Sequence, residues 1–271
     1  MDEPESGTVE RWAWDFVRST ALAEKLAPTP VPDAWETQRP CSRPLAPRRL
    51  AAPGRPPELR LRAKAPKTRG LQATHGRARA LHTFLHHELQ AAELMAWAIL
   101  AFPDAPHDFR RGLLRVALDE VRHMNLYAAE VARLGHAVGA FAVRDWFWER
   151  VPSCPTPVSF VATLGLGLES ANLEHAASFA TRFRQAGDED AARVQEVIAR
   201  DEIEHARFGV RWFVELAGPL DFARWQNELP PPLSPMLMRG TPLQRGARLR
   251  AGFPPAFLDE LERWTPVAPG F

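Results

Sequence analysis

The chain is short of cysteine, of net charge and of long apolar runs, and each shortage removes a class of protein. Two cysteines, Cys41 and Cys154, are too few for a disulfide scaffold, and neither sits in a Cys-x-x-Cys pair. A reducing cytoplasm is therefore the expected compartment. The formal net charge is +1 over 271 residues, so no global field draws the chain to nucleic acid or membrane. No run of about 18 apolar residues is present to span a bilayer. Met1 to Glu10 is acidic and polar, unlike a signal peptide. No Rossmann fingerprint or cysteine cluster marks a built-in reductase. With 45% hydrophobic and 25% charged residues, the composition is that of a soluble domain able to bury a core.

Proline is also missing, but only from the middle. Of 26 prolines, eleven precede residue 75, ten follow residue 217 and five lie between. Proline removes an amide donor and clashes with the preceding turn. The middle is thus permitted to be helical, and the flanks mostly are not. Four proline-free stretches stand out, at about 76–101, 107–133, 158–186 and 188–216. Phe102-Pro103-Asp104-Ala105-Pro106 separates the first two, and Gly187 followed by Asp188 separates the last two. Both breaks are short, so each pair is expected to be an antiparallel hairpin. The join over about 134–157, with Trp146, Phe147 and Trp148, is long enough to cross a bundle. The expected class is all-α: a four-helix bundle over 76–216, with an N-terminal helix and extended arm over 1–75 and a proline-rich tail over 217–271. Short helices are expected at Arg11–Leu26, Asp221–Glu228 and Pro255–Trp264.

Arginine and lysine crowd the arm at Arg43, Arg48, Arg49, Arg55, Arg60, Arg62, Lys64, Lys67 and Arg69. Such a run could contact an anion or RNA. Aromatic residues are almost absent from it, which favours a segment packed over the bundle and disfavours nucleic acid as a partner.

Chemistry enters where charge interrupts apolar stripes. On the second helix the stripe runs Leu113, Ala117, Met124, Val131; Glu120, His123 and the single tyrosine, Tyr127, fall on the same face. On the fourth, Glu202 and His205 interrupt Val194, Ile198, Phe208 and Trp212. An unpaired buried carboxylate costs several kcal/mol, and a metal ion removes that cost. Residues three apart on a helix share a face, so Glu and His can grip one ion. Glu-x-x-His occurs twice, each time after an aspartate: Asp119-Glu120-Val121-Arg122-His123 and Asp201-Glu202-Ile203-Glu204-His205.

The first helix offers Glu88 or Glu93, and the third Glu169 or Glu174. Members of each pair lie about 140° apart around the axis, so only one can face a site. Hairpin symmetry selects between them. The midpoint of Glu88 and Glu120 falls in the first turn, and that of Glu169 and Glu202 falls just before Gly187. Choosing Glu93 or Glu174 shifts the ligand by about 7.5 Å, which metal bonds of about 2 Å do not tolerate. The expected ligands are Glu88, Glu120, His123, Glu169, Glu202 and His205. They form an internal repeat: Glu88 and Glu169 are 81 residues apart, Glu120 and Glu202 82. Four carboxylates and two neutral imidazoles balance two divalent cations. Iron is the favoured pair, with manganese or mixed manganese and iron as the alternative. Asp119 and Asp201 are expected to orient the histidines by accepting their second N–H, and Tyr127 either hydrogen-bonds near the metals or serves as a core tyrosine. Gly165 and Gly167 either open space or allow close packing. His86, His87 and His175 are expected to be core or surface residues.

The pattern Glu, Asp-Glu-x-x-His, Glu, Asp-Glu-x-x-His resembles the ferritin-like di-iron carboxylate superfamily over about 76–216. The first motif looks like that of bacterial multicomponent monooxygenases; the second has Glu204 where those have Arg. The stretches His86–Leu94 and Val143–Pro152 resemble an uncharacterised bacterial ferritin-like family, a domain of unknown function related to di-iron tRNA hydroxylases. The resemblance implies oxygen activation at iron, with dioxygen, an external electron donor and an unidentified substrate as partners. The leading expectation is a di-iron oxidase or monooxygenase. A ferroxidase and a metal-free helical interaction module are the alternatives. The oligomeric state is left open, a homodimer included.

Overall fold

The computed structural model describes residues 1–39, 44–63, 70–238, 240 and 242–266. Among these the structure is all-helical, and the β pairing consists of an isolated bridge between Leu61 and Val143. Among them, too, no helix is long and apolar enough to cross a membrane. The chain divides into two compact units, Met1–Pro152 and Ser153–Phe271.

The first unit is built on a hairpin of α3 (Thr74–Ala101) and α4 (His107–Arg133). Pro103 and Pro106 break the helix between them, and Pro106 stands at the N-cap of α4. At the far end of α4, Gly135 takes φ 78°. There the His136 amide donates to Val131 O at 3.1 Å and the Gly135 amide to Ala132 O at 2.9 Å, closing the carbonyls that a helix end leaves open. From Glu88 to Ala101 every residue of α3 is buried, and the helix Val9–Arg18 packs against α3 as α4 does. Trp97, fully buried, donates from its indole to Leu50 O at 3.0 Å.

The single helix expected over Arg11–Leu26 is two, α1 (Val9–Arg18) and α2 (Leu22–Leu26). The break has a physical cause. Lys25 folds back so that its ammonium caps α1, donating to Phe16 O at 2.5 Å and Val17 O at 3.0 Å. The Gly54 amide reaches Val17 O at 2.8 Å. A Cβ at Gly54 would meet Arg18 O at 2.0 Å, so only glycine fits. The basic arm is tied inward at several points. Arg48 forks onto Glu36 at 2.7 and 3.0 Å, Arg55 onto Asp145 at 2.9 Å, and Arg60 reaches Ala140 O at 3.2 Å. Cys41, Arg43, Lys64, Lys67 and Arg69 lie outside the described residues.

The second unit pairs α6 (Ser170–Gln185) with α7 (Glu189–Ala217). Leading into α6 are α5 (Pro157–Phe160) and a π-helix, Val161–Glu169. In the turn after α6, Gly187 has φ 75° and Asp188 accepts the Ala191 amide at 3.2 Å as the N-cap of α7. Gly165 of the π-helix meets Gly209 of α7: a Cβ built on Gly165 would sit 3.3 Å from Gly209 Cα. A Cβ on Gly167 would strike Leu237 Cδ2 at 2.4 Å. Both glycines therefore serve close packing. The tail adds α8 (Phe222–Asn227), α9 (Arg245–Ala251) and α10 (Pro255–Arg263). Phe222, Trp225, Phe253 and Phe257 pack together at ring separations of 5.4–5.7 Å. The α9 helix has no counterpart among the sequence expectations.

Candidate metal-binding triads

Each unit assembles one triad. In the first, α3 supplies Glu88 and α4 supplies Glu120 and His123. One donor atom from each lies within 4.8 Å of the others, and all three side chains are buried. His123 Nδ1 is 3.1 Å from Glu120 Oε2, as i, i+3 spacing on a helix dictates. In the second unit, Glu169 at the end of the π-helix joins Glu202 and His205 of α7. Their donor atoms also fall within 4.8 Å, again buried. His205 Nδ1 is 3.4 Å from Glu202 Oε2. Asn172, one turn beyond Glu169, donates to Glu202 Oε1 at 3.2 Å. All six residues expected from the sequence thus sit in one triad or the other. Asn172 was missed, although its i+3 offset from Glu169 was a readable signal.

Two carboxylates beside one imidazole suit a hard or borderline divalent cation such as iron or manganese, which favour oxygen and imidazole donors over thiolate. The other deeply buried carboxylates are neutralised differently. Glu10 meets Arg110 at 2.8 Å. Burial works to raise the Glu10 carboxyl, but the Glu36 amide and the Arg110 guanidinium outweigh it and hold it below its ordinary value. Glu93, fully buried, takes Lys25 Nζ at 2.8 Å and Arg55 Nη1 at 2.5 Å, and Trp148 Nε1 donates to it at 2.8 Å. Glu174 accepts Arg248 Nε at 2.9 Å and Nη2 at 2.7 Å. Glu93 and Glu174, the carboxylates that hairpin symmetry rejected as ligands, are thus held by cations.

Tyr127 is buried and packs 5.7 Å from Phe84, ring centre to ring centre. Asp119 is 46% exposed and lies 3.5 Å from Arg122; Asp201 is half-buried. His86 is buried against Asp145 at 3.0 Å, and burial pushes it below its ordinary value. His87 stacks on Phe147 at 5.2 Å, and His175 is exposed. In the expected apolar stripe of α7, Ile198 and Trp212 are buried, whereas Val194 and Phe208 are half-buried.

An all-helical chain that gathers buried glutamates and histidines into clusters able to hold metal defines the class of protein. More particularly, the chain belongs to the family described as "Protein of unknown function (DUF455)", whose model matches residues 18–259. It is similar to an uncharacterized protein of Haemophilus influenzae, 28% identical over 201 residues covering 70% of this chain and 69% of the other. No solved structure matches it.

Proposed function

We propose that the two triads are halves of one dimetal carboxylate centre, iron in the first instance, within a ferritin-like four-helix bundle that oxidises an organic substrate with dioxygen. The observation that carries this reading is the duplication. Each unit brings two buried glutamates and one buried histidine to within bonding range of a common point, and the two sets are spaced almost identically along the chain. One such cluster arises easily as a polar accident; two repeated at nearly the same chain spacing call for a shared reason.

Bound there, the ferrous pair would supply the binding and reduction of dioxygen. The chain's own residues do the rest. Glu88, Glu120, Glu169 and Glu202 together carry four negative charges, which two divalent cations cancel. Neutral His123 and His205 add ligand strength without adding charge. Leu85, Leu89, Ala117 and Met124 in the first unit and Leu166, Ile198 and Ala206 in the second, neighbours of the ligands along their own helices, are buried. Electrons would come from an external donor, and the organic substrate, a small molecule or another class, would be the partner oxidised.

Iron content tests the proposal. Protein from iron-replete cells should carry about two iron atoms per chain, and the Glu120→Ala, Glu202→Ala double variant should carry almost none. A wild-type stoichiometry near zero refutes it. Sustained oxidation of ferrous iron with no organic substrate would instead assign the site to iron handling.

A further inference from the structure

We infer that the two flanking segments are clamps that set the rotation of the ligand-bearing helices: Lys25 and Arg55 act on α3 through Glu93, and Arg248 acts on α6 through Glu174. The inference rests on the reading of the triads as metal ligands. Glu93 follows Glu88 by five residues, and Glu174 follows Glu169 by five. Five residues turn a helix by about 140° and advance it about 7.5 Å. A helix held at Glu93 therefore cannot rotate about its axis without carrying Glu88 away from Glu120 and His123. The same holds for Glu174 and Glu169.

The second unit shows the device most fully. Arg248 is completely buried on α9. Its guanidinium grips both oxygens of Glu174 and also donates to Ser170 O at 3.1 Å, one residue beyond the ligand Glu169, and to Met238 O at 2.9 Å. The Gln244 amide adds a further hydrogen bond to Glu174 at 2.8 Å. One planar fork thus spans a full turn of α6, from Ser170 to Glu174, and ties it to the tail. A point charge could neutralise Glu174, but only a fork also fixes the angle. In the first unit the same position along the repeat is held by different residues. Lys25 from α2 and Arg55 from the arm converge on Glu93 Oε1. Arg55 then passes on to Asp145 at 2.9 Å, and Trp148 Nε1 holds the other Glu93 oxygen. The carboxylate recurs at the same offset while its cations come from unrelated flanks. Two separate solutions to one requirement point to the requirement itself: a second fixed point on each ligand helix.

A buried glutamate needs a counter-charge even if it positions nothing. The test must therefore separate neutralisation from positioning. The Glu174→Met, Arg248→Met double variant removes both charges at similar volume, which is often neutral for folding. Its apoprotein and the wild-type apoprotein would be compared by anaerobic competition for ferrous iron against a chromophoric chelator, with urea unfolding of each as the fold control. Positioning predicts a fold retained and iron affinity weakened by about 10- to 100-fold. A folded double variant with wild-type affinity overturns the inference. Should that variant fail to fold, Arg248→Lys keeps the counter-charge and loses the fork. An affinity loss of about tenfold then supports the clamp, and unchanged affinity overturns it. Failure of the underlying metal reading looks different, because the wild type itself would then compete for no iron.

Discussion

Replacing Gly209 with alanine should destabilise the second unit by about 2 kcal/mol, although alanine is the better helix former. Gly209 sits in the C-terminal third of α7, facing the π-helix. An alanine Cβ there would lie 2.9 Å from the carbonyl carbon of Gly165, 3.0 Å from its oxygen and 3.2 Å from Leu166 Cδ2. Comfortable carbon contacts begin at about 3.5 Å. The first two neighbours are backbone, so no side-chain rotation relieves the overlap, and the cost falls near the upper end of the roughly 1–3 kcal/mol typical of overpacking. Helix propensity returns about 1 kcal/mol. A net loss of about 2 kcal/mol corresponds to a fall of about 4–8 °C in Tm for a chain of this size. Gly246→Ala is the matched control. Its Cβ would meet nothing nearer than Arg250 Nη1, at 3.7 Å, the mobile tip of a long side chain, so a gain of about 0.4–1 kcal/mol is expected. Urea unfolding of the apoproteins, followed by circular dichroism, measures both. If Gly209→Ala unfolds at the same or a higher urea concentration than wild type, the close approach of α7 to the π-helix is wrong. Close packing as the role of Gly165 falls with it.

Acid should weaken the first unit through His82, which burial and then the neighbouring His86 hold down to about 4. Its Nε2 accepts the Gly139 amide at 2.8 Å and is therefore bare in the fold. The unfolded chain binds the proton first, so stability complete above about pH 6.5 drains as the pH falls toward 4, by on the order of 3 kcal/mol. Unfolding of His82→Gln across that range should show a flatter dependence; an unchanged slope places the titration elsewhere. Chelator treatment should lower the Tm of iron-loaded protein, since a metal at a hundredfold its Kd stabilises by about 2.7 kcal/mol. Identical melting of loaded and stripped protein would count against metal in the triads.

How much of this was legible in the sequence depends on how far apart the determinants lie. Proline breaks, the Gly187–Asp188 turn and the N-cap of α7 are local, so the ends of α3, α4 and α7 and the C-terminal end of α6 could be read from neighbouring residues, whereas the start of α6 at Ser170 could not. The grouping of Glu88 with Glu120 and His123 followed from equal distance to a short turn, which is again local geometry. The split of α1 from α2 was not legible, because its cause is Lys25 folding back on carbonyls that any helix offers. Nor were the partners of Glu93 and Glu174: Arg248 lies 74 residues from Glu174 and Lys25 lies 68 from Glu93. The π-helix that ends at Glu169 left only the glycine pair as a trace. Its winding reflects packing against α7 and Leu237 rather than propensity, since leucine and alanine favour an ordinary α-helix. In the tail, α9 was hidden by flanking prolines that end at Pro242 and resume at Pro254, leaving just enough room for two turns.

Diffraction from crystals of the iron-loaded protein, recorded on either side of the iron absorption edge, tests the proposed dimetal centre. Two anomalous peaks about 3.5–4 Å apart are expected, one bonded to His123 and the other to His205, with the four glutamates distributed between them. Maps without anomalous density at these histidines, from protein grown and crystallised with iron, would contradict it.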